Sequence, residues 1–233
     1  MIRLGVTIGD PAGIGPEIVE RAIAHEIKGA TVRVFGERGD AEPGKPTART
    51  GRAQVEFLEA AVAAAKAGEI DALVTAPISK SAAQAAGFAF PGHTEFLAAR
   101  FGVARVVMML AGPRLRVALV TTHLALADVP RALTREGVAE TIRITNESLR
   151  RDFGIAAPRI AVAGLNPHAG EGGAFGREEI DIIAPAVAQA GASGPHVPDA
   201  VFRQAAEGRY DAVVCMYHDQ GLIPLKLDRK SVV

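Results

Sequence analysis

Short β-branched apolar runs alternate with longer alanine-rich stretches along almost the whole chain, and this alternation restricts the fold more than any other feature. The runs that read as strands are Ile2–Ile8, Thr31–Phe35, Ala72–Thr75, Arg105–Leu110, Arg116–Thr121, Arg159–Ala163 and Ala212–Met216. Helical character runs over Pro16–His25, Arg52–Ala67, Thr94–Phe101, Thr134–Phe153, Glu178–Ala190 and Ala200–Glu207. Strands separated by helices form a mainly parallel sheet covered on both faces, so an α/β fold is expected. One pair departs from this pattern. Only Ala-Gly-Pro-Arg separates Leu110 from Leu115, too little for a helical crossover, so those two strands should be antiparallel and the sheet mixed.

Composition narrows the classes of partner. A chain of 233 residues that is 48% hydrophobic can build one large domain or two modest lobes. Its 26 basic residues balance 26 acidic ones, which removes any electrostatic case for nucleic acid. No apolar run approaches the roughly 18 residues of a membrane span. Met1–Asp10 reads as a strand entering a loop and not as a secretory leader. Cys215, the one cysteine, fits a reducing cytoplasm and lies in an apolar strand, where an inert buried thiol is expected. Between Phe35 and Arg52 runs a polar, Gly/Pro-rich linker longer than ordinary connections. Its Gly39–Lys45 portion nearly spells a phosphate-binding P-loop, but Pro46 stands where Ser or Thr is required, so that reading is rejected.

Three histidines stand just beyond the carboxyl ends of apolar strands: His123, His168 and His218. Ligands of open α/β sheets gather outside those ends. Three imidazoles suit zinc or a related transition metal with a position left open for substrate. The plainer reading is three ordinary loop histidines. Asn166-Pro-His-Ala-Gly-Glu-Gly-Gly173 and Tyr217-His-Asp-Gln-Gly221 each join a histidine to a carboxylate and glycines, as a metal or proton-transfer site requires.

Other motifs offer donors. Gly9-Asp-Pro-Ala-Gly-Ile-Gly-Pro-Glu17 opens the first helix with Pro16 in its first turn, and its N–H groups can hold an anion. It is not a dinucleotide fingerprint, because Ile18 occupies the third glycine position. Thr75-Ala-Pro-Ile-Ser-Lys80 ends a strand with hydroxyls and a lysine. In Gly92-His-Thr-Glu95, Thr94 is placed to cap a helix, and His93 with Thr94 could hold a phosphate or carboxylate or simply start the helix. Lys226 is either a partner for an anionic substrate or a solvated charge.

Taken together, Gly9–Glu17, Thr75–Lys80, Gly92–Glu95, Thr121–His123, Asn166–Gly173 and Tyr217–Gly221 resemble the 4-hydroxythreonine-4-phosphate dehydrogenase family of vitamin B6 (pyridoxal 5'-phosphate) biosynthesis. The resemblance implies a two-lobed α/β/α fold with mostly parallel mixed sheets, like isocitrate and isopropylmalate dehydrogenases, and an active site between the lobes. It divides the chain into a first lobe at 1–90 and a second at 91–227 that carries the metal histidines. It implies a homodimer whose metal takes His123 and His168 from one chain and His218 from its partner. The metal would be zinc, or alternatively magnesium or cobalt. His93, Thr94 and Lys226 would contact substrate. The implied reaction is NAD- or NADP-dependent oxidation of 4-phosphooxy-L-threonine, with decarboxylation to 3-amino-2-oxopropyl phosphate.

Relative to that family the chain is expected to be shortened around residues 37–50 and truncated after Lys226. Asp228–Val233 reads as a non-native tail, since those six residues translate a common sequencing-library adapter. Three alternatives stand beside the leading one. They are a dehydrogenase of four-carbon sugar-acid phosphates such as threonate or erythronate 4-phosphate, a metal-free phosphate acyltransferase, and a non-catalytic remnant.

Overall fold

A computed structural model describes residues 1–229, and the last four residues of the expected tail, 230–233, lie outside the described residues. The chain packs as two compact units, Met1–Val106 and Val107 onward.

In the first unit, β1 (Ile2–Thr7) pairs in parallel with both β2 (Ala30–Phe35) and β3 (Ala72–Thr75), giving the order β2-β1-β3. Helix α1 (Gly15–Ile23) follows β1, and Pro16 lies in its first turn as expected. Helix α2 spans Ala48–Lys66 and starts four residues earlier than the sequence predicts. Thr47 and Thr50 form a reciprocal capping box that draws the end of the polar linker into the helix. Helix α3 (Lys80–Ala85), which the sequence does not announce, packs against α2. Gly51 makes the approach possible, because a Cβ there would lie 2.1 Å from the Ala82 carbonyl oxygen. Buried Gln54 joins the same elements, accepting from Ser79 N at 2.9 Å and donating to Ser79 O at 3.2 Å.

Helix α4 (His93–Phe101) closes the unit. Its Phe96 is fully buried with Leu58, Val62, Ala83 and Phe88. That cluster carries α4 into the first unit, so the division falls after Val106 and not after the expected residue 90.

The second unit is a five-stranded sheet in the order β4-β5-β8-β6-β7, from β4 (Met108–Ala111), β5 (Arg116–Leu119), β6 (Ile160–Ala163), β7 (Ser193–His196) and β8 (Ala212–Cys215). β4 and β5 are antiparallel, as the short connection demands, and the other pairs are parallel. β7 is absent from the sequence-based expectation, because Gly194 and Pro195 signal a turn. Such residues are tolerated here because β7 lies at the sheet edge.

Alternate residues of the three central strands face opposite cores. Ala118, Ile160, Val162, Ala212 and Val214 pack with Val138, Ile142 and Leu149 of α6 (Arg135–Arg151) and with Ala186 and Val187 of α7 (Ala184–Ala190). Val117, Leu119, Ala161, Ala163, Val213 and Cys215 pack with Val201 and Ala205 of α8 (Pro198–Ala206) and with Leu222 and Leu225 of α9 (His218–Arg229). A short helix α5 (Val129–Ala132) precedes α6, whose Thr134 cap accepts from Gly137 N at 3.0 Å. Each unit also pins the opening of its strands with an Arg–Asp clamp, Arg3 on Asp71 and Arg159 on Asp211.

We predict that Gly51→Ala destabilises the protein by about 1–3 kcal/mol, the usual cost of overpacking. The obstacle is a backbone carbonyl, which no side-chain rotation can clear. An unchanged denaturation midpoint in urea would contradict the close packing of α2 on α3.

Candidate functional site

The strand order decides which histidines can meet. β8 lies between β5 and β6, so His123, His218 and His168 follow the carboxyl ends of three adjacent parallel strands, with His218 on the central one. The rings of His123 and His218 lie 5.5 Å apart, centre to centre. Two imidazoles on one tetrahedral zinc stand roughly 5 Å apart by this measure, given bonds of about 2 Å. Asp219 Oδ1 lies 2.8 Å from His218 Nδ1, which fixes that ring and leaves Nε2 as its outward nitrogen. His168 is exposed and rests against Phe175, with centroids 6.2 Å apart. No group of three metal-ligating side chains gathers among the described residues. Within one chain the ring contact is between His123 and His218. His123 neighbours His218, because their strands are hydrogen-bonded to each other while β6 lies on the far side of β8.

The three strand ends are tied by a buried polar chain. Thr121 Oγ1 donates to Met216 O at 2.7 Å, and Met216 N donates to Gln220 Oε1 at 2.7 Å. Gln220 Nε2 in turn donates to Gly164 O at 2.7 Å. Beyond Gly164 the backbone from His168 to Gly172 is left-handed throughout, with φ between 46° and 83°. This turn carries His168 beside a cavity of about 320 Å³ lined by Asn166, Asp199, Tyr217 and Gln220. Gln220 and the left-handed turn both lie inside motifs singled out in the sequence, Tyr217–Gly221 and Asn166–Gly173, but neither motif announces the buried amide link or the handedness of the turn.

In the first unit, Gly92 and not Thr94 caps α4, so His93 and Thr94 occupy the first two helical positions. Thr94 is thus a first-turn residue whose hydroxyl is exposed. Neighbouring N–H groups of a first turn lack intrahelical acceptors and suit an anion. His93 Nε2 is buried without a hydrogen-bond partner among the described residues. Burial, and secondarily the Lys80 charge, holds the His93 pKa below the ordinary imidazole value. Ser79 caps α3 and sets Lys80 at its start. The Gly9–Glu17 turn packs on the neighbouring segment, with Asp10 N donating to Pro77 O at 3.0 Å.

Lys226 is exposed on α9, eight residues beyond His218 and so roughly 12 Å along the axis at about 1.5 Å per residue. The structure places it apart from the paired histidines. Cys215 is fully buried, and burial raises its pKa, which matches the inert thiol expected.

Residues 14–231 match the family model described as pyridoxal phosphate biosynthetic protein PdxA. The chain belongs to the PdxA family. It is 46% identical to the 4-hydroxythreonine-4-phosphate dehydrogenase of Desulfosudis oleivorans, over 96% of this chain and 81% of that protein. That alignment runs over 273 positions, more than the 233 residues present here, so the relative carries additional residues along the matched region. A Bradyrhizobium diazoefficiens protein provisionally named D-threonate 4-phosphate dehydrogenase is 42% identical, over 97% of this chain and 79% of that protein. The crystal structure of the Klebsiella pneumoniae 4-hydroxythreonine-4-phosphate dehydrogenase superposes with a TM-score of 0.89 at 38% identity, covering 97% of this chain and 85% of that one. The chain is an oxidoreductase of this dehydrogenase type.

The His93 environment sets a pH test. A histidine with a lower pKa folded than unfolded supports folding above its unfolded value, near 6.5, and withdraws that support as pH falls below it. We predict that the His93 ring, followed by NMR, titrates below 6.5. A midpoint at or above 6.5 would show that the ring is not desolvated as described.

Proposed function

We propose that the protein oxidises 4-phosphooxy-L-threonine with NAD or NADP in a divalent-metal-dependent reaction, and that the product loses CO2 to give 3-amino-2-oxopropyl phosphate. The observation that carries this reading is the His123–His218 pair at adjacent strand ends of a PdxA-family chain. The donor set fits a metal, because both rings are near enough to share one ion and Asp219 orients one of them. Zinc suits imidazole ligands. When bound, the metal supplies polarisation of the alcohol and then of the ketone oxygen, and the nicotinamide supplies the hydride acceptor.

The chain's own residues bind and orient. Asp219 holds His218 in one ring orientation, so its free nitrogen needs no reorganisation to accept an ion. His93, Thr94 and the first-turn N–H groups of α4 offer donors to a phosphate, with Lys80 adding charge. Lys226 remains a candidate for a second anionic group of the substrate. In a homodimer the metal would take His123 and His168 from one chain and His218 from its partner, and the approach of His123 to His218 within one chain favours a second division, with the partner's His168 as the third imidazole. The same donors would accept a four-carbon sugar-acid phosphate, which the likeness to the Bradyrhizobium protein keeps as the second reading. Location in the cytoplasm is part of this proposal.

Two measurements test it. With 4-phosphooxy-L-threonine, NADH or NADPH formation should exceed that with D-threonate 4-phosphate, and the reverse preference would favour the second reading. Mixing inactive His123→Ala and His218→Ala chains should restore activity through hybrid dimers, whereas His123→Ala with His168→Ala should not. Recovery only in the second mixture would favour the division in which His123 and His218 come from one chain.

A further inference from the structure

We propose that Glu179 is the positioning residue for His168, anchoring Leu165 and Asn166 so that the turn His168–Gly172 keeps its left-handed form and the imidazole is presented beyond the end of β6. This rests on the reading of His168 as a metal ligand. His168, Ala169 and Glu171 adopt φ of 52°, 53° and 46°. Each non-glycine residue in that region costs about 1–2 kcal/mol, so the turn persists only where its surroundings impose it.

The turn is closed in part by its own backbone. Ala169 N donates to Asn166 O at 3.1 Å, Phe175 N to Gly170 O at 3.2 Å and Ala174 N to Glu171 O at 3.3 Å. Glu179 adds side-chain acceptors from the start of the following helical segment. It is 3% exposed, and its Oε1 accepts from both Leu165 N and Asn166 N at 2.7 Å. Its Oε2 accepts from Asn166 Nδ2 at 3.0 Å, and that amide also donates to Glu178 at 2.7 Å. One carboxylate thus takes three donors from the two residues that enter the turn, and carboxylate acceptors form the stronger class of hydrogen bond.

The glycines around it are shaped to the carboxylate. A Cβ on Gly170 would lie 2.6 Å from Glu179 Oε2, and one on Gly164 would lie 3.0 Å from Oε1. The backbone therefore wraps the acid closely on two sides. Removing an acceptor leaves buried N–H groups without partners and releases the strained residues toward ordinary φ. The His168 ring would then move with its backbone.

The test compares wild type with Glu179→Gln, Gly170→Ala and His168→Ala in the full chain. Glu179→Gln keeps size but turns one acceptor into a donor facing Asn166 Nδ2. Gly170→Ala keeps Glu179 and crowds it. Backbone couplings from NMR read the sign of φ at His168, Ala169 and Glu171, and competition with a chromophoric chelator reads zinc affinity. We expect both loop variants to lose the left-handed couplings and to bind zinc about 10–100-fold more weakly, the usual loss when a ligand's support is removed. The Glu179→Gln loss should vanish in a His168→Ala background, since one residue acts through the other. Additive losses, or left-handed couplings retained in Glu179→Gln, would overturn the proposal. If wild type and His168→Ala bind zinc equally, His168 is not a ligand and the metal reading fails. The couplings then still decide, on their own, whether Glu179 holds the turn.

Discussion

The buried polar chain Thr121–Met216–Gln220–Gly164, continued by Glu179, is the constraint on which the candidate metal site depends. Parallel strands fix their neighbours along their length, but their ends are free to splay once the ladder stops. Here the ladder is extended by side chains. The Thr121 hydroxyl joins β5 to β8, and the Gln220 amide joins the start of α9 to the end of β6. Thr121, Gln220 and Glu179 are all at least nine-tenths buried, so each unmade bond would cost roughly 1–3 kcal/mol of desolvation. A frame with that penalty at each joint has one arrangement, and the three histidines inherit their positions from it.

The frame treats its histidines differently. His218 opens α9 directly and has an adjacent carboxylate, so its placement follows from helix geometry and one hydrogen bond. His123 exits β5 into an exposed loop and meets His218 through strand adjacency alone. His168 sits on a strained turn that needs external support. The three rings thus rest on three different kinds of support.

Much of this was legible in the sequence, and the boundary is physical. Strand runs and the antiparallel β4–β5 pair follow from local composition and connection length, and both emerge. The positions of His123, His168 and His218 beyond strand ends are likewise local facts. Which of them are neighbours depends on β8 inserting between β5 and β6, and strand order is not encoded in any window of sequence. Helix α9 carries a weak sequence signal because Gly221 and Pro224 punctuate it. Yet Gly221 is what lets the helix lie on the sheet, its Cβ position falling 3.0 Å from Cys215 Sγ. Glu179 falls in the first turn of the helix expected over Glu178–Ala190, a place that hides a buried acceptor. Residue preference favours Thr94 as the cap of α4, whereas the backbone turns in at Gly92.

The division into two units bears on specificity as well as fold. The second unit contributes histidines and their frame, which on the proposed reading activate an alcohol and place no demand on the rest of the substrate. The first unit contributes His93, Thr94 and Lys80, a neutral-leaning imidazole, a hydroxyl and a cation around a helix N-terminus. Such a group recognises an anion through charge and hydrogen bonds and is indifferent to whether the carbon chain bears an amine or a hydroxyl. Relatives named for threonine-derived and threonate-derived phosphates can therefore share both halves of the machinery at more than 40% identity to this chain. Selection between them must come from a contact to the second substituent of the substrate. Neither the strand-end frame nor the proposed anion site at α4 supplies a group dedicated to that choice.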